Sequence, residues 1–234
     1  MIVSINQPAY LPWLGYFQRI AVSDVHVVLD DVQFEKNSFV NRNRVRAAGG
    51  ATWLTVPVLT AGRFGELPIA ALEIDNRAPW RRKHWATLGQ AYGAAPYFAD
   101  HEPFFHTVYQ RDWTRLAELC AEVTRYLLDA FGIATPVVRS SDLAASGAKD
   151  ELVLDLCRKT GATTYLSGAL GRDYLREELF ADAGIAVAYQ DYEHPEYTQL
   201  RGPFLPFMAA VDLLFLHGPA SLGILLGDGQ RVAA

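Results

Sequence analysis

Cysteine is scarce: Cys120 and Cys157 are the only two in 234 residues. That excludes a disulfide-stapled scaffold and any paired-cysteine zinc site. Both lie in apolar, helix-like stretches with no adjacent base or electropositive neighbourhood, as expected of buried free thiols in a reducing cytosol rather than of nucleophiles. Excess positive charge is lacking as well. The formal net charge is −5, so non-specific binding to nucleic acid is not expected. No basic leader with a long apolar core opens the chain, and the apolar stretch Ala209–Leu226 is broken by Asp212, His217, Gly218 and Pro219. Neither a secretory signal nor a membrane span is therefore read, and a cytoplasmic location is the expectation. Gly-x-Gly-x-x-Gly after a strand, a phosphate-loop Lys-Ser/Thr, a Gly-x-Ser-x-Gly elbow and His-Glu-x-x-His are all missing, so no motif names a cofactor or a metal.

What is present suits one packed domain over residues 1–234. Half of the residues are hydrophobic and a fifth are charged. Met1–Ile5 and Val25–Leu29 read as buried strands, and Trp13–Ala21 between them as a short helix. Val40–Arg46 and Thr52–Val58 read as strands joined by a turn at Gly49-Gly50, and Leu72–Ile74 as a further strand. Ala78–Tyr92 is expected to be helical, with Pro79 in its first turn. In Trp113–Phe131 the residues Trp113, Leu116, Leu119, Cys120, Val123, Leu127 and Phe131 recur at helical spacing before Gly132, a natural C-terminal cap. The last third alternates. Strands at Pro136–Arg139, Thr163–Leu166 and Ile185–Tyr189 are separated by helices at Ala148–Thr160 and Asp173–Ala183. Such alternation predicts an α/β fold with a mostly parallel, Rossmann-like sheet flanked by helices, carrying a helical segment and a β-hairpin as insertions.

Ligands of such sheets bind outside the carboxyl ends of the strands. Four polar segments should meet there: Asn6–Trp13, Asp30–Lys36, Ser140–Asp142 and Ser167–Gly168. One of Asp30 and Asp31 is expected to enter the cleft, because successive strand residues face opposite ways; it could bind a metal, orient an amine or hydroxyl, act as a general base, or cap a turn or helix. His194, in the loop after the last strand, is a second candidate for proton transfer. Asn41, Arg42 and Lys36 offer amide and cationic donors suited to carboxylate or phosphate, although a solvated hairpin would look the same. The basic groups Arg42, Arg44, Arg46 and Arg81, Arg82, Lys83, His84 read first as solvated faces. Gly168-Ala169-Leu170-Gly171 could admit a phosphate close to backbone amides. Asp212 and His217 are five residues apart, which is not a same-face helical pair.

Longer strings carry more information. They include Gln7-Pro8-Ala9-Tyr10-Leu11-Pro12-Trp13-Leu14-Gly15-Tyr16-Phe17, Leu29-Asp30-Asp31-Val32-Gln33-Phe34-Glu35-Lys36, Asn41-Arg42-Asn43 and Trp53-Leu54-Thr55-Val56-Pro57-Val58. Further on come Trp80 with Lys83-His84, Ser140-Ser141-Asp142-Leu143, and Tyr165-Leu166-Ser167-Gly168 with Tyr174-Leu175. His194-Pro195-Glu196-Tyr197-Thr198-Gln199 and Asp212-Leu213-Leu214-Phe215 with His217-Gly218 complete the set. At these residues the chain resembles the WbqC-like family, along essentially its whole length. It departs from the usual pattern at Asn6, often His in relatives, and at Ala9 and Leu216, often Asn. The layout of its first strands is also similar to nucleotidylyl transferases and pantothenate-synthetase-like ligases, without their His-x-Gly-His.

The resemblance implies, by association with polysaccharide and natural-product gene clusters, a transferase-like enzyme. The leading expectation is transfer of an acyl or aminoacyl group from a thioester or adenylate to an amine. The expected partners are a small-molecule substrate and a carrier-protein or coenzyme A thioester donor, with cofactor and oligomeric state left open. Asp30, Asp31 and His194 are the candidates for proton transfer. Gln7, Tyr10, Trp13, Gln33, Lys36, Asn41, Arg42, Ser167, Gly168, Tyr174, Tyr197 and Gln199 are the candidates for binding. A nucleotide- or nucleotide-sugar-dependent transferase is the second expectation. The third is a scaffold of a biosynthetic complex that presents Tyr10, Trp13, Phe34 and Phe39 as an exposed interface.

Overall fold

The computed structural model describes residues 1–227 except 61, 63, 64 and 66. Five strands form one parallel sheet: β1 (Ile2–Asn6), β2 (Val25–Val28), β5 (Val137–Arg139), β6 (Thr164–Ser167) and β7 (Ala186–Tyr189), in the order β5-β2-β1-β6-β7. A separate antiparallel hairpin joins β3 (Arg42–Ala47) to β4 (Gly50–Thr55). The helices are α1 (Leu14–Ala21), α2 (Trp80–Tyr92), α3 (Phe98–Gln110), α4 (Leu116–Phe131), α5 (Asp150–Lys159), α6 (Glu177–Asp182), α7 (Val211–His217) and α8 (Ser221–Leu226). Among the described residues no helix is long and apolar enough to cross a membrane.

Strand alternation divides the interior into two cores. Val3 and Ile5 of β1, with Val27 and Tyr165, pack against Leu152 and Leu156 of α5 and Phe180 of α6. Ser4 and Asn6 face the other way, toward α1. On that side a larger core joins α1 to the helical segment through Phe17, Leu119, Phe131 and Phe215. The crossover from β2 to β5 holds the hairpin and α2 to α4, and all of this insertion packs on the α1 face.

Local deviations from the expected elements have identifiable causes. The helix expected at Asp173–Ala183 is a 3-10 turn at Ala169–Asp173 followed by the short α6. Ser167 Oγ lies where a Cβ on Gly171 would be, and this close approach tightens the turn. Trp113 stays outside α4; its indole N–H donates to the Val108 carbonyl at the end of α3. Leu72–Ile74 makes only isolated bridges, Glu73 to Arg115 and Ile74 to Val58. The hairpin turn is tighter than expected, with Ala47 opposite Gly50, whose φ of 120° favours glycine. No element was expected over α3, which carries Pro103 within it.

Candidate functional site

All five strands of the main sheet run parallel, so their carboxyl ends share one edge. Chain order reverses between β1 and β6, and there the connections leave on opposite faces and open a crevice. Helix α1 runs back over β1 from that edge. It delivers Arg19, 6% exposed, whose guanidinium donates to Asn6 Oδ1 at the end of β1. The same guanidinium lies against the end of β6: a Cβ on Gly168 would stand 2.6 Å from Nη1. Glycine here permits the close approach of the guanidinium rather than a special backbone angle, since its φ is ordinary.

Arg19 has no carboxylate partner among the described residues, and its Nε makes no hydrogen bond. Asn6 Nδ2 is a second buried donor without an acceptor. Burial lowers the Arg19 pKa, offset in part by Tyr165, Tyr16 and Tyr174, but a guanidinium starts so high that the charge stays. The positive field reaches His26 beneath α1, where Nδ1 meets Ser4 Oγ at 2.8 Å and Nε2 has no partner. Burial first, and Arg19 second, take its pKa down to about 3, so His26 is neutral at pH 7.

On the other side of β1, Asp30 follows β2 and is 1% exposed. Its carboxylate accepts from the Ser141 amide and hydroxyl, both at 3.1 Å. Ser140 Oγ accepts from the Asp30 amide. Ser140 Oγ lies 2.5 Å from Asp31 Oδ1 and 3.2 Å from Asp30 Oδ1, so its single proton goes to exposed Asp31 as the better acceptor. Asp30 also lines a cavity of about 370 Å³ between α4 and the β2 and β5 ends.

The other expected site residues are dispersed. Gln7 is half-buried beside Asn6, and half-exposed Tyr174 lies near Arg19. Ser167 is buried at the end of β6. Of these only Tyr174, together with Gly168, lies near Arg19; Ser167 Oγ turns to Gly171. Tyr10 is instead a core residue, its hydroxyl bonded to His84 Nδ1 and Tyr109. Gln33 bonds the backbone of Phe34 and Leu67, and Lys36 is exposed in the same segment. Asn41 holds the Val56 carbonyl. Arg42 binds Asn37 and stacks over Trp53 at 4.5 Å. Both His194 ring nitrogens meet backbone, Nδ1 the Pro195 carbonyl and Nε2 the Phe207 amide. The proposed aromatic interface is not a continuous exposed surface: Tyr10 and Phe34 are buried, Trp13 is half-buried and Phe39 is exposed.

Tyr197 and Gln199 belong to a second polar cluster centred on Asp212, which is 0% exposed. Its carboxylate accepts from Tyr92 at 2.7 Å, Tyr197 at 2.8 Å and Gln199 at 2.9 Å. Tyr92 in turn accepts the Arg46 amide, and the Arg46 side chain binds the Arg201 and Pro203 carbonyls. Burial raises the Asp212 pKa against these donors. His217 Nε2 meets the Thr198 carbonyl, so the two C-terminal motifs clasp each other.

Sequence reasoning did not single out Arg19; it noted Asn6 only as a departure from the family pattern and weighed Asp212 only against His217. The signal that could have found Arg19 is a cation, next to Gln18, in a short helix all of whose residues are buried. The order β5-β2-β1-β6-β7, with helices on both faces and its switch point between β1 and β6, defines a doubly wound α/β protein. The chain belongs to the WbqC-like protein family, whose family model matches residues 7–224. It is 36% identical over 218 residues to the uncharacterized protein Rv1507c of Mycobacterium tuberculosis, an alignment covering 92% of this chain and 94% of that one. No solved structure matches the chain.

Proposed function

We propose that the protein is a group-transfer enzyme that moves an acyl or aminoacyl group from a phosphate-bearing donor to an amine, with the donor's phosphate on Arg19. The observation that carries this reading is a nine-tenths-buried guanidinium at the switch point with no carboxylate partner among the described residues. Burying an unpaired charge is costly, and a bound anion supplies the missing partner. Asn6 Nδ2 and the Arg19 N–H groups are fixed donors that suit phosphate oxygens. With an adenylate donor the neutral amine attacks the carbonyl carbon, the carbon–oxygen bond to phosphate breaks, AMP leaves with Arg19 neutralising the charge gathering on its phosphate, and the proton released by the amine passes to solvent. With a phosphopantetheine thioester the sulfur leaves, and Arg19 serves to position the donor.

Thermal shift of the purified protein tests this. The ligands are ATP, nucleotide sugars, coenzyme A and an acyl-coenzyme A, each with wild type and Arg19→Met. A ligand at about 100-fold over its dissociation constant stabilises by ~2.7 kcal/mol. Stabilisation by coenzyme A compounds or ATP that Arg19→Met abolishes supports the proposal. Stabilisation by nucleotide sugars alone replaces the acyl donor with a glycosyl or nucleotidyl one. Indifference to every phosphate compound, or equal shifts in both proteins, removes Arg19 as an anion site.

A further inference from the structure

The cavity beside the crevice holds charge of both signs, and two of its charged groups, Asp30 and Arg139, have no ionic partner among the described residues. Val28 and Arg139 are register partners of neighbouring strands, so their side chains leave the sheet on one face. Asp30, two residues past Val28, continues that face, and all three line the cavity. Two hydrogen bonds from Ser141 leave Asp30 with acceptor capacity, since a carboxylate has about four acceptor sites. Neither Asp30 nor Arg139 forms an ion pair among the described residues, and the half-buried Arg139 guanidinium makes no hydrogen bond. The opposite wall is supplied by α4, where Cys120 and Leu128 give it an apolar portion beside Thr124. Arg125 and Asp129 of α4 also line the cavity, and both are exposed; Arg125 is paired with Glu122. The volume of about 370 Å³ lies within the range of small-ligand pockets.

We propose that this cavity binds a small zwitterion, an α-amino acid with an apolar side chain. Its ammonium sits on Asp30, its carboxylate on Arg139 and its side chain against α4. The assignment deepens the transfer reading by naming the class of the acceptor amine, and it rests on that reading only for the role of acceptor. Binding itself is independent of the donor.

Isothermal titration of the full-length protein tests it with L-leucine, 3-methylbutylamine, which lacks the carboxylate, and 4-methylpentanoate, which lacks the ammonium. Leucine is expected to bind, with each truncated ligand about tenfold weaker or worse, the effect of one charge-assisted hydrogen bond. Asp30→Asn and Arg139→Gln should each weaken leucine by about tenfold, while Arg19→Met leaves it unchanged. Circular dichroism checks the fold of Asp30→Asn. Arg139→Gln, on a half-buried edge-strand position, carries the test if that variant unfolds. The proposal fails if leucine and other apolar amino acids show no saturable binding, if amine and amino acid bind equally, or if Arg139→Gln changes nothing. Leucine binding without any phosphate-compound binding would uphold this site and remove the transfer reading. The reverse result would remove this site alone.

Discussion

Asp212 and Arg19 are both charged side chains taken out of water, and the fold treats them differently. Asp212 has three donors drawn from α2 and the segment before α7, and Tyr92 beside it is itself held by a backbone amide. Arg19 has one amide oxygen, an orphaned Nε and a glycine where a side chain could have stood. A charge satisfied from within holds a structure together. A charge left unsatisfied at a strand-end crevice costs stability until something arrives from outside.

The comparison is sharpest in stability. Asp212→Ala strips the acceptor from three buried donors and is expected to cost about 3–5 kcal/mol in urea unfolding. Arg19→Met should cost nothing or gain ~1 kcal/mol, because an unpaired buried charge is replaced by a packed apolar chain. Equal losses in the two variants would abolish the distinction. Acid probes two buried histidines, His26 beneath α1 and His84 beside Tyr10. Burial holds His26 at about 3 and His84 at about 4, against 6.5 when unfolded. The unfolded chain therefore binds more protons between these values. This contribution to stability is complete above about pH 6.5 and is lost as pH falls, by ~3 kcal/mol at pH 4 from His26 alone. Asp212, whose pKa is raised, acts in the opposite sense: its contribution is full below its unfolded value of 3.8 and is lost as pH rises through the raised one. Urea unfolding across pH should show the histidine slope reduced in His26→Asn.

Smaller effects concern binding. Arg19→Met should weaken the best phosphate compound by about a hundredfold, the worth of a strong charge-assisted contact in a buried site. Gly168→Ala should weaken it by about tenfold while moving stability by less than ~1 kcal/mol. The new Cβ would stand 2.6 Å from Nη1, and the flexible end of the arginine can swing away. Full affinity in Gly168→Ala would show that the guanidinium does not need to lie against β6.

Much of the scaffold was legible. The strand and helix alternation after residue 136 and the apolar first strands were enough to expect a parallel sheet with polar segments at its edge. Period and composition report burial, and burial is what places a strand between helices. The site was less legible. Arg19 lies in a pattern that reads as core, and only the path of α1 across the sheet turns it toward Asn6 and Gly168. Asp212 was weighed against His217 in its own helix, but its partners sit at positions 92, 197 and 199. His194 is catalytically suggestive by residue type, yet both its nitrogens are engaged by backbone. Helix α3, which carries Pro103 within it, was not expected.

The seam between β1 and β6 also sets an order of events. The two strands are among the most distant in sequence to pair: Thr163 meets Met1 across 162 positions, whereas β2 follows β1 almost at once. Contacts of such high separation demand a large loop closure and form late. The crevice lies on that seam, so a nascent chain emerging from the ribosome has β1, α1 and β2 available long before it can complete a binding site. Stopped-flow refolding should show Arg19-dependent ligand capture appearing only with the slowest structural phase. Any ligand captured at that stage would act as a clamp on the last closure of the sheet.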